Sequence, residues 1–257
     1  MIDILFISFL FATVLLGIHS YYGINIIRRG IIFTDLAIGQ MAALGTAIAF
    51  LLFDGKYVYP ISLTFALLGA FLIALTSKKK MSHEAFIGLI YALGISLSII
   101  LLSKDPHGTE EVQKLTASDI LFITRAELIK TSILYAIIGL FLYFVVERVQ
   151  GTLKEILFFT TFAITVTSSV NLAGVLVVFS ILVTPAYIMS FFADRFSIKL
   201  IGAWILGIII NLIAIVLSYY LDLPTGYTIV AFYALSGIIV SISCKCFKNG
   251  EGEIKVA

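Results

Sequence analysis

Nine stretches of this chain are apolar over lengths that approach the 20 or so residues a helix needs to cross a bilayer. They are 4–27, 31–53, 57–76, 85–103, 128–146, 156–170, 173–192, 197–221 and 226–244. Little of the chain remains between them. The expectation is an all-α protein, a polytopic transmembrane helical bundle forming one unit over residues 1–257. Charge content agrees. Only 12% of the residues are charged, against about 25% in a soluble domain, and the mean hydropathy is +1.12.

The sixth and seventh stretches are the ambiguous pair. They form one run, 156–192, too long for one helix and short for two. Thr167, Ser168, Ser169 and Asn171 lie in its middle, where such residues serve a tight turn. Basic residues arbitrate between eight spans and nine. With nine, Arg28/Arg29, Lys78–Lys80, Arg148/Lys154, Arg195/Lys199 and Lys245/Lys248/Lys255 fall on one side, twelve of the seventeen Lys and Arg. Cytoplasmic loops carry the excess of Lys and Arg. That favours nine spans in a plasma (inner) membrane, with the N-terminus outside and the C-terminus cytoplasmic. With eight, the last two basic groups land outside.

Most connections are short, which leaves no room for a soluble domain. The longest is 103–127, where Glu110, Glu111 and Lys114 are spaced for a helical turn. Leu221–Gly226, LDLPTG, reads as a turn between the last two spans. The first apolar stretch lacks a basic lead-in and a small-residue cleavage site, so it reads as a span. Cys244 and Cys246, separated by one residue, have no zinc-ligand pattern with a nearby His and read as reduced thiols.

Ionisable residues inside spans are expensive and point to function by default. Here they are His19, Asp35 and, at an edge, Glu84. Asp35 follows Thr34 and lies about two helical turns past Arg28 and Arg29. It is either a first-turn carboxylate with basic neighbours or a polar group lining a path. His19, beside Ser20, Tyr21 and Tyr22, reads as a hydrogen-bonded packing histidine near an interface. Glu84, after His83, reads as a cap or a partner for Lys78–Lys80. Gln40 lies deep in the second span, where a buried amide needs partners. It serves either as glue between helices or as an oxygen donor to a passing ion.

A second focus is Asn171–Arg195, NLAGVLVVFSILVTPAYIMSFFADR. It runs apolar to Thr184, and Pro185 predicts a break. A short amphipathic piece is expected after it, presenting Tyr187, Phe191 and Phe192 and ending at Asp194 and Arg195. This is either a kinked span with an interfacial aromatic belt or a grip for a soluble partner.

Four stretches together resemble the permease of ABC-type importers for zinc, manganese or iron. They are RRGIIFTDLAIGQMAALG in the second span, EAFIGLIYALGISLSIILLS in the fourth, PHGTEE with ASDIL in the long loop, and GVLVVFSILVTPAYIMSFF with SYYLDLPTGYTIV. The resemblance covers nearly the whole chain. It implies a type II ABC importer permease in which two copies form a pore. Pro185, Tyr187, Phe191, Phe192 and Arg195 become a cytoplasmic coupling helix for an ABC ATPase, and an extracytoplasmic metal-binding protein delivers the ion. It also implies Asp35 and Gln40 as a transient metal site, with no permanently bound cofactor. Two positions depart from the family's pattern. Ser118 replaces a glycine in the loop, and the histidine expected four residues after Asp35 is Gly39, with Gln40 next. Imidazole suits zinc, while carboxylate and amide oxygens suit harder ions such as Mn²⁺.

Other classes fare worse. The chain has no G-x-x-x-x-G-K-[ST] motif, so ATP hydrolysis falls to a separate subunit. His19, His83 and His107 lie in different segments without the H-E-x-x-H spacing of a metalloprotease. Nothing marks a nucleic-acid binder. The alternative is a proton-coupled secondary carrier with Asp35 as the titrating group.

Overall fold

The computed structural model describes residues 2–76, 83–103, 116–117 and 120–253, with side chains placed for 3–75, 83–103, 116–117 and 120–244. Among the described residues nine helices are long and apolar enough to cross a membrane. They are α1 (Ile2–Arg29), α2 (Thr34–Phe53), α3 (Val58–Thr76), α4 (His83–Leu102), α5 (Arg125–Phe144), α6 (Thr152–Ala173), α7 (Val175–Phe192), α8 (Phe196–Tyr220) and α9 (Thr225–Glu253). Single 3-10 turns, Ile120–Phe122 and Val146–Arg148, precede and follow α5. The expectations for Lys78–Lys80, for Glu110, Glu111 and Lys114, and for Ser118 lie outside the described residues.

Two helices form the centre. In the best spanning windows of α2 and α6, 61% and 67% of residues are buried, more than in any other span. The reason is composition. The inward surface of α2 is made of small residues, Ala37, Gly39, Ala42, Ala43, Gly45 and Ala49, which let neighbouring backbones come close. A Cβ on Gly45 would lie 2.7 Å from the Ser62 Cα and 2.8 Å from the Ile61 carbonyl oxygen of α3. Ser62 completes the contact by donating to the Ala42 carbonyl at 2.9 Å. Gly45→Leu therefore forces the two helices apart. Overpacking of this kind destabilises by about 1–3 kcal/mol, and the drop is expected in the melting temperature of the purified protein. The helices around this centre turn Leu, Ile and Phe outward, among them Leu89, Ile133, Ile205 and Ile239. On a membrane protein that is the surface facing lipid.

The bundle has two distinct ends. At one, Arg29 of α1 pairs with Glu155 of α6, Lys154 lies 3.7 Å from Glu147, and Phe196 at the start of α8 packs on Tyr21. At the other, Asp3 lies 3.9 Å from Arg125, and Leu121 and Phe122 line a hollow with the 218–224 turn. That turn is tied by Ser218, which donates to the Leu223 carbonyl at 3.1 Å and meets the Thr225 hydroxyl at 2.6 Å.

Two local expectations fail. The turn between the sixth and seventh spans is not at 167–171 but at Gly174, and α6 runs to Ala173. The hydroxyls stay helical because each bonds back to its own helix: Thr167 to Ala163 at 2.7 Å, Ser168 and Ser169 to Thr165 at 2.9 and 2.6 Å. Gly174 has φ +84° and ψ 159°, a region open to glycine alone, and the backbone of Thr116 and Ala117 lies against it. Pro185 does not break its helix either: α7 is continuous from Val175 to Phe192. Proline is tolerated in membrane helices whose neighbours hold them. Here Gly23 of α1 abuts the Leu182 carbonyl, and Gly237 of α9 abuts the Thr184 methyl.

Candidate functional site

The start of α2 is set by a compact turn. Gly30, at φ +70°, lets the chain leave α1, and Thr34 then donates its hydroxyl to the Ile31 carbonyl at 2.8 Å. This places Asp35 in the first helical turn and buries it, 1% exposed. Neither carboxylate oxygen has a hydrogen-bond partner among the described residues. The two arginines that precede it do not reach back. Arg29 binds Glu155 and lies 4.2 Å over the Phe158 ring, and Arg28 is exposed. An unpaired buried charge is strongly unfavourable, so packing gains nothing from Asp35.

A second carboxylate stands nearby. Glu84, in the first turn of α4, accepts the Phe33 N–H at 3.3 Å, and its other oxygen is buried without a partner among the described residues. It thus caps the entry to α2 across helices. The relevant signal was the position of Glu84 at a helix start, but its partner, 51 residues earlier, was invisible to spacing.

Asp35 and Gln40 do not converge. Five residues of helix separate them by about 7.5 Å along the axis and about 140° around it. Gln40 faces α4, where a Cβ on Gly94 would lie 3.0 Å from it. It lines a cavity of about 50 Å³ with Ala43, Ile95, Ser98 and Thr116. Thr46, eleven residues after Asp35, returns to nearly the same face of α2, about 20° away. There it donates to the Asn171 Oδ1 of α6 at 3.3 Å, and the Asn171 amide nitrogen is buried without a partner among the described residues. Between them Gly39 faces Val170 and Val175. Unsatisfied polar atoms therefore mark both ends of one α2 face, and Asn171 was not foreseen in that company.

His19 is a packing histidine, fully buried at the middle of α1. One ring nitrogen meets the Leu15 carbonyl at 2.8 Å and the other the Ser169 hydroxyl at 3.1 Å. Tyr135 joins it edge-on and meets Ser168 at 3.0 Å. Among the described residues no group of three His, Cys, Asp or Glu could hold a metal ion. Cys244 is a free thiol.

The last turns of α7 carry the aromatic segment. Tyr187 meets the Ser241 hydroxyl of α9 at 3.1 Å and packs edge-on against Phe191, with ring centroids 5.0 Å apart. Phe191 and Phe192 are exposed, Ala193 is extended, and exposed Arg195 is the N-cap of α8. The next residue, Phe196, rests on Tyr21, whose hydroxyl donates to Glu147 at 2.7 Å. The aromatic segment therefore lies at the end of the bundle that holds Arg28, Arg29 and Lys154.

Residues 1–244 match the ABC 3 transport family. A probable iron transport system membrane protein of Haemophilus influenzae is 25% identical over 257 residues, covering 91% of this chain and 87% of that protein. The manganese transport system membrane protein MntB of Synechocystis is 25% identical over 181 residues, 65% of this chain and 59% of MntB. Among solved structures, PsaBC from Streptococcus pneumoniae in complex with Fab superposes with a TM-score of 0.75 at 19% identity, covering 91% of this chain and 89% of that one. The fold is therefore shared with a solved structure. An all-helical multi-pass chain that carries this family match along almost its whole length belongs to the ABC 3 transport family, and it is the membrane-spanning permease subunit of an ABC transporter, distinct from the ATPase.

Proposed function

We propose that this permease moves a divalent transition metal ion, Mn²⁺, Fe²⁺ or Zn²⁺, into the cell, with Asp35 as the carboxylate the ion meets in transit. The observation that carries this is the isolation of Asp35: a buried carboxylate with both oxygens unpartnered, in the first turn of the central helix. The named relatives support the cargo class, since the proteins similar to this chain include iron and manganese transport system membrane proteins. Oxygen donors favour the harder ions, and no imidazole stands at Gly39 or Gln40. One carboxylate is a weak site, which suits a path that must release its ion. The metal is cargo, and no resident cofactor belongs to this reading. Gln40, in its cavity with Ser98, is a further oxygen donor set apart from Asp35.

Two copies form the pore, a cytoplasmic ATPase drives it, and a metal-binding protein supplies the ion from outside. The basic end is cytoplasmic by the excess of Lys and Arg there, so the C-terminus is too. The segment Pro185–Arg195 is the coupling element. It differs from a free-standing coupling helix in being the end of α7 itself, so a push on Phe191 and Phe192 travels along a continuous helix. Alternating access requires the ion and ATP to bind the two states of the bundle with different affinity. Replacing Phe191 and Phe192 together by serine is expected to lower ATPase recovery in co-purification about tenfold or more, as loss of buried aromatic anchors does. The variant's own melting temperature should fall only slightly, since both rings are largely exposed and, among the described residues, only Phe191 packs on a neighbouring ring, Tyr187. Equal recovery would remove this segment from the interface.

The decisive experiment reconstitutes the permease with its ATPase in vesicles and follows Mn²⁺, Fe²⁺ and Zn²⁺ under ATP and, separately, under a proton gradient. Uptake of a metal that needs ATP is the expected result. Uptake that follows the proton gradient with no ATPase present would replace the reading with a secondary carrier.

A further inference from the structure

A large hollow lies away from Asp35. It is a lateral groove of about 1330 Å³ floored by α1 and walled by α5 and α8. Its lining on α1 runs from Val14 to Arg29, about 22 Å of helix. One leaflet of hydrocarbon is about 15 Å thick, so the groove is as deep as a single leaflet with its headgroup layer. The deep part is apolar and small, with Gly17, Ile18, Ala136 and Gly139. The mouth is cationic. Arg28, Arg29 and Lys154 line it with Glu147. Arg29 is taken by Glu155 and Lys154 by Glu147, while Arg28 has no ion pair among the described residues.

We propose that this groove binds an anionic phospholipid of the leaflet at the basic end, with its acyl chains along α1 and its phosphate at Arg28. Two features select that occupant. An elongated apolar slot of one-leaflet depth fits acyl chains, and a basic pocket between transmembrane helices recognises an anionic headgroup. Arg28, the cation left unpaired there, opposes the two competing uses. It repels a divalent metal ion, which argues against this groove as its route. It would also face its own copy if a second chain closed symmetrically over it. The inference does not rest on the cargo and stands whichever ion is carried.

The test is native mass spectrometry of the full chain, released from detergent micelles after extraction from membranes that contain phosphatidylglycerol, cardiolipin and phosphatidylethanolamine. The wild-type chain is expected to keep an anionic lipid in excess of its share of the membrane. Arg28→Gln should lower the retained anionic lipid about fivefold, the effect of one cation at an anionic headgroup. Gly139→Leu should abolish retention, because a Cβ there meets nothing within 4 Å and the rest of the side chain extends into the open groove. Retention in proportion to bulk composition, or full retention by Gly139→Leu, overturns the proposal. So does disulfide cross-linking of two chains through Gly139→Cys, which would make the groove a seam between copies.

Discussion

Asp35→Ala is expected to abolish ATP-driven metal uptake while leaving the permease folded and bound to its ATPase. The two halves of that expectation come from the same geometry. Removing a buried polar group that has no partner is nearly neutral or stabilising for a protein, so the variant should melt no lower than the wild type. A fold-supporting carboxylate would behave in the opposite way. Transport should fall by about 100-fold, at the upper end of what losing a group that tunes a metal site costs. Asp35→Asn keeps the shape and one oxygen and should retain part of the activity. The measurements are vesicle uptake and thermal melting on the same preparations. Wild-type uptake by Asp35→Ala would sink Asp35 as a path residue. Lost uptake accompanied by lost stability would make it a structural one.

The second large effect concerns the Gly174 turn. Gly174→Val meets two penalties at once. Its backbone, φ +84° and ψ 159°, is closed to a branched side chain, and its Cβ would lie 2.8 Å from the Ala117 amide nitrogen. Strain of the first kind is about 1–3 kcal/mol and overpacking about 1–3 more. Together these reach the lower end of a domain's whole stability, about 5–15 kcal/mol. The variant should fail to accumulate as a monodisperse protein. Gly174→Ala carries the same strain with less bulk and should fold with a lowered melting temperature. Wild-type melting by both would show that the turn is not as tight as described.

Much of the architecture was legible from the chain because hydrocarbon imposes it. A run of apolar residues long enough to cross can do little else, and the basic residues settled whether 156–192 crosses once or twice. The turn residues misled for a physical reason. Thr167, Ser168 and Ser169 look like loop formers, but in an apolar bundle their hydroxyls find the preceding helical carbonyls and then serve His19 and Tyr135. Pro185 misled likewise, since Gly23 and Gly237 let α1 and α9 pack closely against the helix beside it. At the site, Asp35 was legible as an oddity, while its isolation was not. That depends on Arg29 choosing Glu155, 126 residues away, over the carboxylate six residues on, across the turn. Gln40 was paired with Asp35 by the family resemblance, and helical rotation puts them on different faces.

Trp204, the only tryptophan in the chain, lines the lateral groove and donates its indole N–H to the Gly17 carbonyl at 3.1 Å. The permease therefore carries its own optical reporter. Its tryptophan emission arises at one place, 38% exposed and facing the α1–α5–α8 groove. Brominated acyl chains that enter the groove should quench it, and rearrangement of α8 against α1 during turnover should shift its colour, with no label attached.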